Sequence, residues 1–284
     1  MTGRYISRDP LGYPNGLNNY LYVRNNPINR IDPLGLREKT KDENVAINRM
    51  KDLSKEARGK SEEFRKKAEE EKDKSMKRSY DSLAQSTAKL ADGIDAAVGE
   101  IERGIEDSPE SAKDPAGLKT ALTAIVDWSK QDPKDNKGNW SWAGDGKNKR
   151  YYTPSAPFLK CSTWVAHIIY EALGLHLNLN EKAWRRYPPK AADWETGAAG
   201  WGKFESTHDY TWKSGDKNPS LGDVISNGPH VGIFLAPGAY VSATQSAYYP
   251  SQYQPGDGVQ IRDGGIGTMA DDEGRYSASE FRKR

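Results

Sequence analysis

The sequence predicts an α+β protein in which a long helical segment precedes a domain whose cysteine-bearing helix packs on an antiparallel sheet. Three observations predict it. Apolar positions Tyr80, Leu83, Thr87, Leu90, Ile94, Ala97, Ile101 and Ile105 recur at steps of three and four, the spacing of one helical stripe. A second stripe of Trp164, Val165, Ile168, Ile169, Ala172 and Leu173 runs between Pro157 and Gly174, residue types that open and close helices. From Leu221 to Thr244, short apolar runs are separated by Gly228-Pro229 and Pro237-Gly238, turn pairs that mark a meander of three strands.

Composition says where the core lies. The chain has 284 residues, enough for about two domains at roughly 150 residues each. Charged residues make up 29%, hydrophobic residues 35%, and the mean hydropathy is −0.88. A solvated segment must therefore dilute a smaller folded one. All eight tryptophans lie between Trp128 and Trp212, whereas residues 37 to 107 hold 17 Lys/Arg, 18 Asp/Glu and only Phe64 and Tyr80 as aromatics. Cores need bulky apolar side chains, so an enzyme-like core belongs to the C-terminal half. No apolar run approaches the roughly 18 residues of a membrane span. The opening MTGRYISRDPLG has no apolar signal-peptide core, so ordinary signal-directed secretion is not expected. A net charge of +2 creates no global field for gathering nucleic acid. One cysteine and four scattered histidines do not suit a structural zinc site, and no cofactor is expected.

Three parts follow in order. Residues 1–36 are rich in Gly, Asn, Pro and Tyr, with strand-like pieces such as Tyr20 to Val23 between turn signals. Residues 37–115 read as two long helices or a helical hairpin. Met50, Leu53, Ala57 and Phe64 continue the stripe more weakly, interrupted by Lys60 and Lys67. Opposite charges at helical neighbour spacing from Glu62 to Lys74 favour a solvated spacer over a binding helix. Residues 116–284 carry the chemistry.

In the first part the resemblance is specific. Asp32-Pro33-Leu34-Gly35-Leu36 follows an earlier Asp9-Pro10-Leu11-Gly12, with Asn26-Pro27 between them. Each element alone is a turn signal. Together the 36 residues resemble the closing segment of the rearrangement-hotspot (Rhs) repeat core, a shell of tyrosine-rich hairpins that encloses a variable C-terminal toxin. The resemblance implies self-cleavage after Leu36, with Asp9 and Asp32 as the carboxylates of an aspartyl mechanism; two close carboxylates can share a proton and divide acid and base roles.

Cys161 falls in the first turn of the helix that follows Pro157. Orphan amides and the helix dipole there favour a thiolate, although a lone cysteine beside apolar residues also suits an inert core. His230 opens the second strand of the meander, where a strand-end imidazole can serve as base and later as acid. A polar residue on a neighbouring strand would orient the ring. His167 lies six residues past Cys161, about 240° around the helix, and cannot pair with it. His176 and His208 sit in loop-like sequence, and Asp223 suits a turn.

The order Cys161-Ser162-Thr163-Trp164-Val165, Gly222-Asp223-Val224 and His230-Val231-Gly232-Ile233-Phe234 resembles the NlpC-type cell-wall peptidases, a papain-like superfamily, over roughly residues 117 to 250. Three positions depart from that pattern: Lys160 stands for Asp, Thr163 for Gly, and Ser242 for the His, Asn or Gln that commonly orients the base. Ser242 accepts a hydrogen bond but is short and uncharged; Gln245 is the other orienting candidate. Trp140 and Trp142 resemble the aromatic approach to the cysteine, and with Trp164 are candidates to wall a substrate groove. Trp184, Trp194, Trp201 and Trp212 occupy a Gly-rich insertion and suit either a groove wall or a core anchor.

The resemblances imply a papain-like antibacterial toxin, with Cys161 the nucleophile on amide bonds of peptidoglycan peptides and His230 the base. They also imply a parent Rhs shell, a specialised secretion apparatus such as type VI, delivery to the recipient's periplasm and a cognate immunity protein. Two other classes fit the same residues: a protease, deamidase or acyltransferase acting on a protein or lipid of the recipient cell, and an inactive binding module.

Overall fold

A computed structural model describes residues 38–107, 115–130, 160–175, 191, 194, 210–216, 218–244, 258–263, 269–270 and 275–283. The Rhs-like residues 1–36, with Asp9, Asp32 and Leu36, lie outside them, as do Trp140, Trp142, His176, His208 and Gln245. The described residues form an α+β protein with helices α1 (Lys41–Glu70), α2 (Lys74–Asp107), α3 (Ala116–Lys130) and α4 (Lys160–Leu173). Strands β1 (Tyr210–Asp216), β2 (Val224–Ser226), β3 (Val231–Ala236), β4 (Ala239–Thr244), β5 (Gly258–Arg262) and β6 (Ser277–Lys283) complete it.

The charged segment is a helical hairpin. Thr40 caps α1 by accepting from the Glu43 amide at 3.2 Å and donating its own amide to the Glu43 carboxylate at 2.7 Å, a reciprocal capping box. Helix α1 ends at Glu70, and Asp73 Oδ1 accepts from the amides of Ser75 and Met76 at 2.9 Å each to start α2. Small residues line the seam, so the helices approach closely. Ser54 donates to the Ala91 carbonyl at 3.3 Å and Ser61 to the Ala84 carbonyl at 2.8 Å. The seam thus passes through Ser61 rather than the neighbouring Lys60 that interrupts the sequence pattern. Phe64 stacks with Tyr80, ring centroids 6.4 Å apart. Outside, Arg58 pairs with Asp95 at 2.5 Å and Asp92 at 2.9 Å; such half-exposed pairs contribute at most about 1 kcal/mol.

The spacer expectation is corrected. Ala46, Ile47, Met50, Leu53, Leu90, Ile94, Ala97, Val98, Ile101 and Ile105 share one apolar cluster with α3, α4 and the sheet. A Cβ on Gly93 of α2 would stand 2.7 Å from the carbonyl carbon of Gly238 in the β3–β4 turn, so helix and turn meet backbone to backbone. Charged residues dominate this segment's composition because they fill its outer faces, while the inner stripe is an ordinary core face. The first turn of α3 docks in the same way, with Gly117 against Leu221 and Gly222, where neither glycine has room for a Cβ. Arg49 of α1 lies 4.8 Å above the Trp128 ring and donates to the Ser129 carbonyl at 2.5 Å, capping the end of α3.

The sheet is antiparallel throughout, with strand order β1-β6-β2-β3-β4-β5. Strands β2, β3 and β4 are the meander the sequence predicts. Strand β6 inserts between β1 and β2, pairing Ser279 with Val224. Alternation splits the faces: Val231, Ile233, Leu235 and Val241 join the main cluster beneath the helices, and Ile225, Phe234, Tyr240, Met269 and Ala278 form a smaller one on the other face. No helix among the described residues is long and apolar enough to cross a membrane.

Candidate functional site

Cys161 is the second residue of α4, as its position after Pro157 predicts, and Gly174 closes the helix at φ +72°, a left-handed geometry that favours glycine. Cys161 is 8% exposed. Burial pushes it above its ordinary pKa, and the backbone amides of Val231, Ser162 and Cys161 itself pull it only part of the way back. The expectation of a depressed thiolate at a helix start is therefore corrected: desolvation outweighs the amides. The thiol is protonated at neutral pH and needs a base to become a nucleophile.

His230 is held by its backbone immediately before β3. Its amide donates to Asn227 Oδ1 at 3.0 Å, and its carbonyl accepts from the Asn227 amide and from Ser226 Oγ, both at 3.1 Å. The imidazole pKa is lowered to about 4, first by burial and then by the positive charge of Arg262, so the ring is neutral near pH 7 and free to accept a proton. It meets Tyr240 edge-on, centroids 6.0 Å apart. Nε2 is buried and has no hydrogen-bond partner among the described residues.

The three residues chosen from the sequence meet at Val231. Its amide faces the Cys161 thiol, its chain neighbour is His230, and its carbonyl accepts from Ser242 Oγ at 2.6 Å. The imidazole, however, rests against Tyr240, a member of the far-face cluster, while Cys161 belongs to the main one. The structure brings the thiol to the histidine's backbone without joining it to the ring. Ser242 is fully buried and spends its proton on Val231, so it fixes the start of β3 and forms no bond to the imidazole.

Trp164 is corrected from groove wall to core. It is 0% exposed, and its indole N–H donates to Asp127 Oδ2 at 2.8 Å. Asp223 is the turn residue its sequence suggests, accepting from the Ser220 amide at 2.8 Å. His167 Nδ1 lies 4.0 Å from Glu171, its neighbour one helical turn on. Among the described residues no three His, Cys, Asp or Glu side chains gather as a metal site requires.

Sequence reasoning missed Ser226 and singled out Trp194 only as an insertion residue. Trp194 is 1% exposed and donates to Ser162 Oγ at 2.8 Å; Ser226 donates to the Ala191 carbonyl at 2.9 Å. Only the strand position of Ser226, four residues before His230, hinted at such a role. No family model, curated protein or solved structure matches the chain.

Proposed function

We propose that this chain is the C-terminal end of an Rhs-type antibacterial toxin whose papain-like domain hydrolyses amide bonds of peptidoglycan peptides. One observation carries the chemistry: the Val231 amide faces the protonated Cys161 thiol, and the residue before it, His230, carries a neutral imidazole whose buried Nε2 has no hydrogen-bond partner among the described residues. The mechanism requires the imidazole to leave Tyr240 and bring Nε2 to the thiol; catalytic hydrogen bonds often form only once substrate is bound. Nε2 then takes the thiol proton, and the thiolate attacks the amide carbonyl carbon. The oxyanion is stabilised by backbone amides, that of Cys161 among them. Collapse breaks the C–N bond, and the imidazolium gives its proton to the leaving amine. Water, deprotonated by the same imidazole, releases the acyl group and restores the thiol.

A second reading, an inactive binding module, is favoured by the raised thiol and by the imidazole's placement against Tyr240. Alkylation separates the two: a catalytic thiol reacts quickly near neutral pH, a packed one slowly.

The substrate rests on the resemblance to cell-wall peptidases, and compartment tests it. Residues 37 to 284 produced in the bacterial cytoplasm should be nearly harmless, whereas the same fragment sent to the periplasm should cause rounding and lysis, relieved by Cys161→Ala. Killing from the cytoplasm without wall damage would transfer the site to a protein or lipid substrate.

A further inference from the structure

Among the described residues, the insertion before β1 meets the site through Ala191 and Trp194, which are 6% and 1% exposed. The indole N–H of Trp194 donates to Ser162 Oγ at 2.8 Å, a bond buried on both sides, and Ser162 follows the nucleophile in α4. The Ala191 carbonyl accepts from Ser226 Oγ at 2.9 Å. That hydroxyl also lies 3.1 Å from the His230 carbonyl and accepts from the Gly228 amide at 3.2 Å. One hydroxyl has one proton and two lone pairs, so Ser226 shares its proton between insertion and histidine while holding the turn through Gly228. Two insertion residues, three apart, thus tie the cysteine's helix to the histidine's turn.

We infer that Ala191 and Trp194 form a positioning tie that fixes the separation of Cys161 and His230, with Trp194 a positioning residue rather than a catalytic one. The inference rests on the hydrolase reading above. Elements far apart in sequence, α4 and the β2–β3 turn, otherwise meet through the Cys161 thiol and the Val231 amide and through the apolar packing of α4 on β3 and β4, which is less directional than a hydrogen bond. Buried hydrogen bonds can hold a reacting geometry, because each half-broken pair leaves a desolvated polar group. A displacement of about 1 Å at a reacting centre is enough to slow chemistry greatly.

The test uses the full chain with Trp194→Phe, Ser162→Ala and the double variant. Trp194→Phe keeps an aromatic ring and removes the indole N–H; Ser162→Ala removes its acceptor. Because Cys161 is the sole cysteine, iodoacetamide alkylation reads its ionisation directly, without substrate. The tie predicts that each single variant shifts the pH profile of alkylation and lowers kcat on peptidoglycan peptides about tenfold with KM nearly constant, and that the double variant is no worse than either single one. Lower melting temperatures with an unchanged alkylation profile and unchanged kcat would make Trp194 a core anchor only and overturn the inference, as would additive losses in the double variant. Failure of the hydrolase reading looks different: the unsubstituted chain would release nothing from peptidoglycan, while the alkylation profiles would still report on the tie.

Discussion

The seam between α1 and α2 and the seam between α4 and the sheet both bury serine hydroxyls, and they use them differently. In the hairpin, Ser54 and Ser61 each donate to a carbonyl on the facing helix. At the site, Ser162, Ser226 and Ser242 connect α4, the insertion, the β2–β3 turn and β4, and His230 Nε2 is buried without a hydrogen-bond partner among the described residues. The first seam closes a repeating interface between sequence neighbours. The second joins pieces scattered along the chain and, among the described residues, leaves the costly Nε2 of His230 unsatisfied. A packing interface has no use for that atom; a site that receives a proton does.

The largest effect should come from removing the proposed chemistry. Cys161→Ala and His230→Ala should each reduce hydrolysis at least about a thousandfold, while their circular dichroism spectra remain those of the parent. Full activity in either variant would leave the second seam with nothing to distinguish it from the first.

Glycine substitutions sharpen the hairpin's side of the comparison. A Cβ on Gly59 or Gly99 meets nothing within 4 Å, whereas one on Gly93 meets the Gly238 backbone at 2.7 Å. Gly59→Ala and Gly99→Ala should each stabilise the protein by up to about 1 kcal/mol through helix propensity. Gly93→Ala should destabilise it, because overpacking costs roughly 1–3 kcal/mol and outweighs the same gain. Thermal melts of the three variants decide between a docked hairpin and a free spacer; a rise in all three would mean the hairpin is not docked.

Protonation probes the unsatisfied imidazole. Burial and Arg262 lower its folded pKa to about 4 from an ordinary 6.5, so the unfolded chain binds the extra proton first. Stability should be full above about pH 6.5 and fall as pH drops towards 4, by at most about 3 kcal/mol at 1.36 kcal/mol per unit. His230→Asn should flatten that part of the melting-temperature profile, and an equal acid loss in both proteins would remove the buried imidazole from the account.

Ser242→Ala should matter least. It loses one buried hydrogen bond to Val231, about 1 kcal/mol of stability, and less activity than either Cys161→Ala or His230→Ala loses. A loss as deep as theirs would make Ser242 part of the catalytic group.

Much of this architecture is legible where signals are local. The α2 stripe is long and periodic, and the turns around Gly228 and Gly238, at φ +87° and +85°, are written as Gly-Pro and Pro-Gly. Strand β6 was not legible: its residues SASEFRK show no β-branched alternation, and its partner Val224 lies 55 positions away from Ser279 in the chain. Ser61 reads as polar yet occupies a core position because its hydroxyl is spent on Ala84. At the site, Cys161 and His230 stand out by residue type and spacing. Their burial, which reverses the expected direction of the thiol's pKa, arises from elements distant in sequence.

The most direct test of the central claim is digestion of purified cell-wall sacculi by the full chain, with mass analysis of the soluble products. The account predicts release of muropeptides whose masses correspond to hydrolysis of an amide bond in the peptide stem or crosslink, and no release by Cys161→Ala. Intact sacculi, or equal release by the cysteine variant, would contradict it.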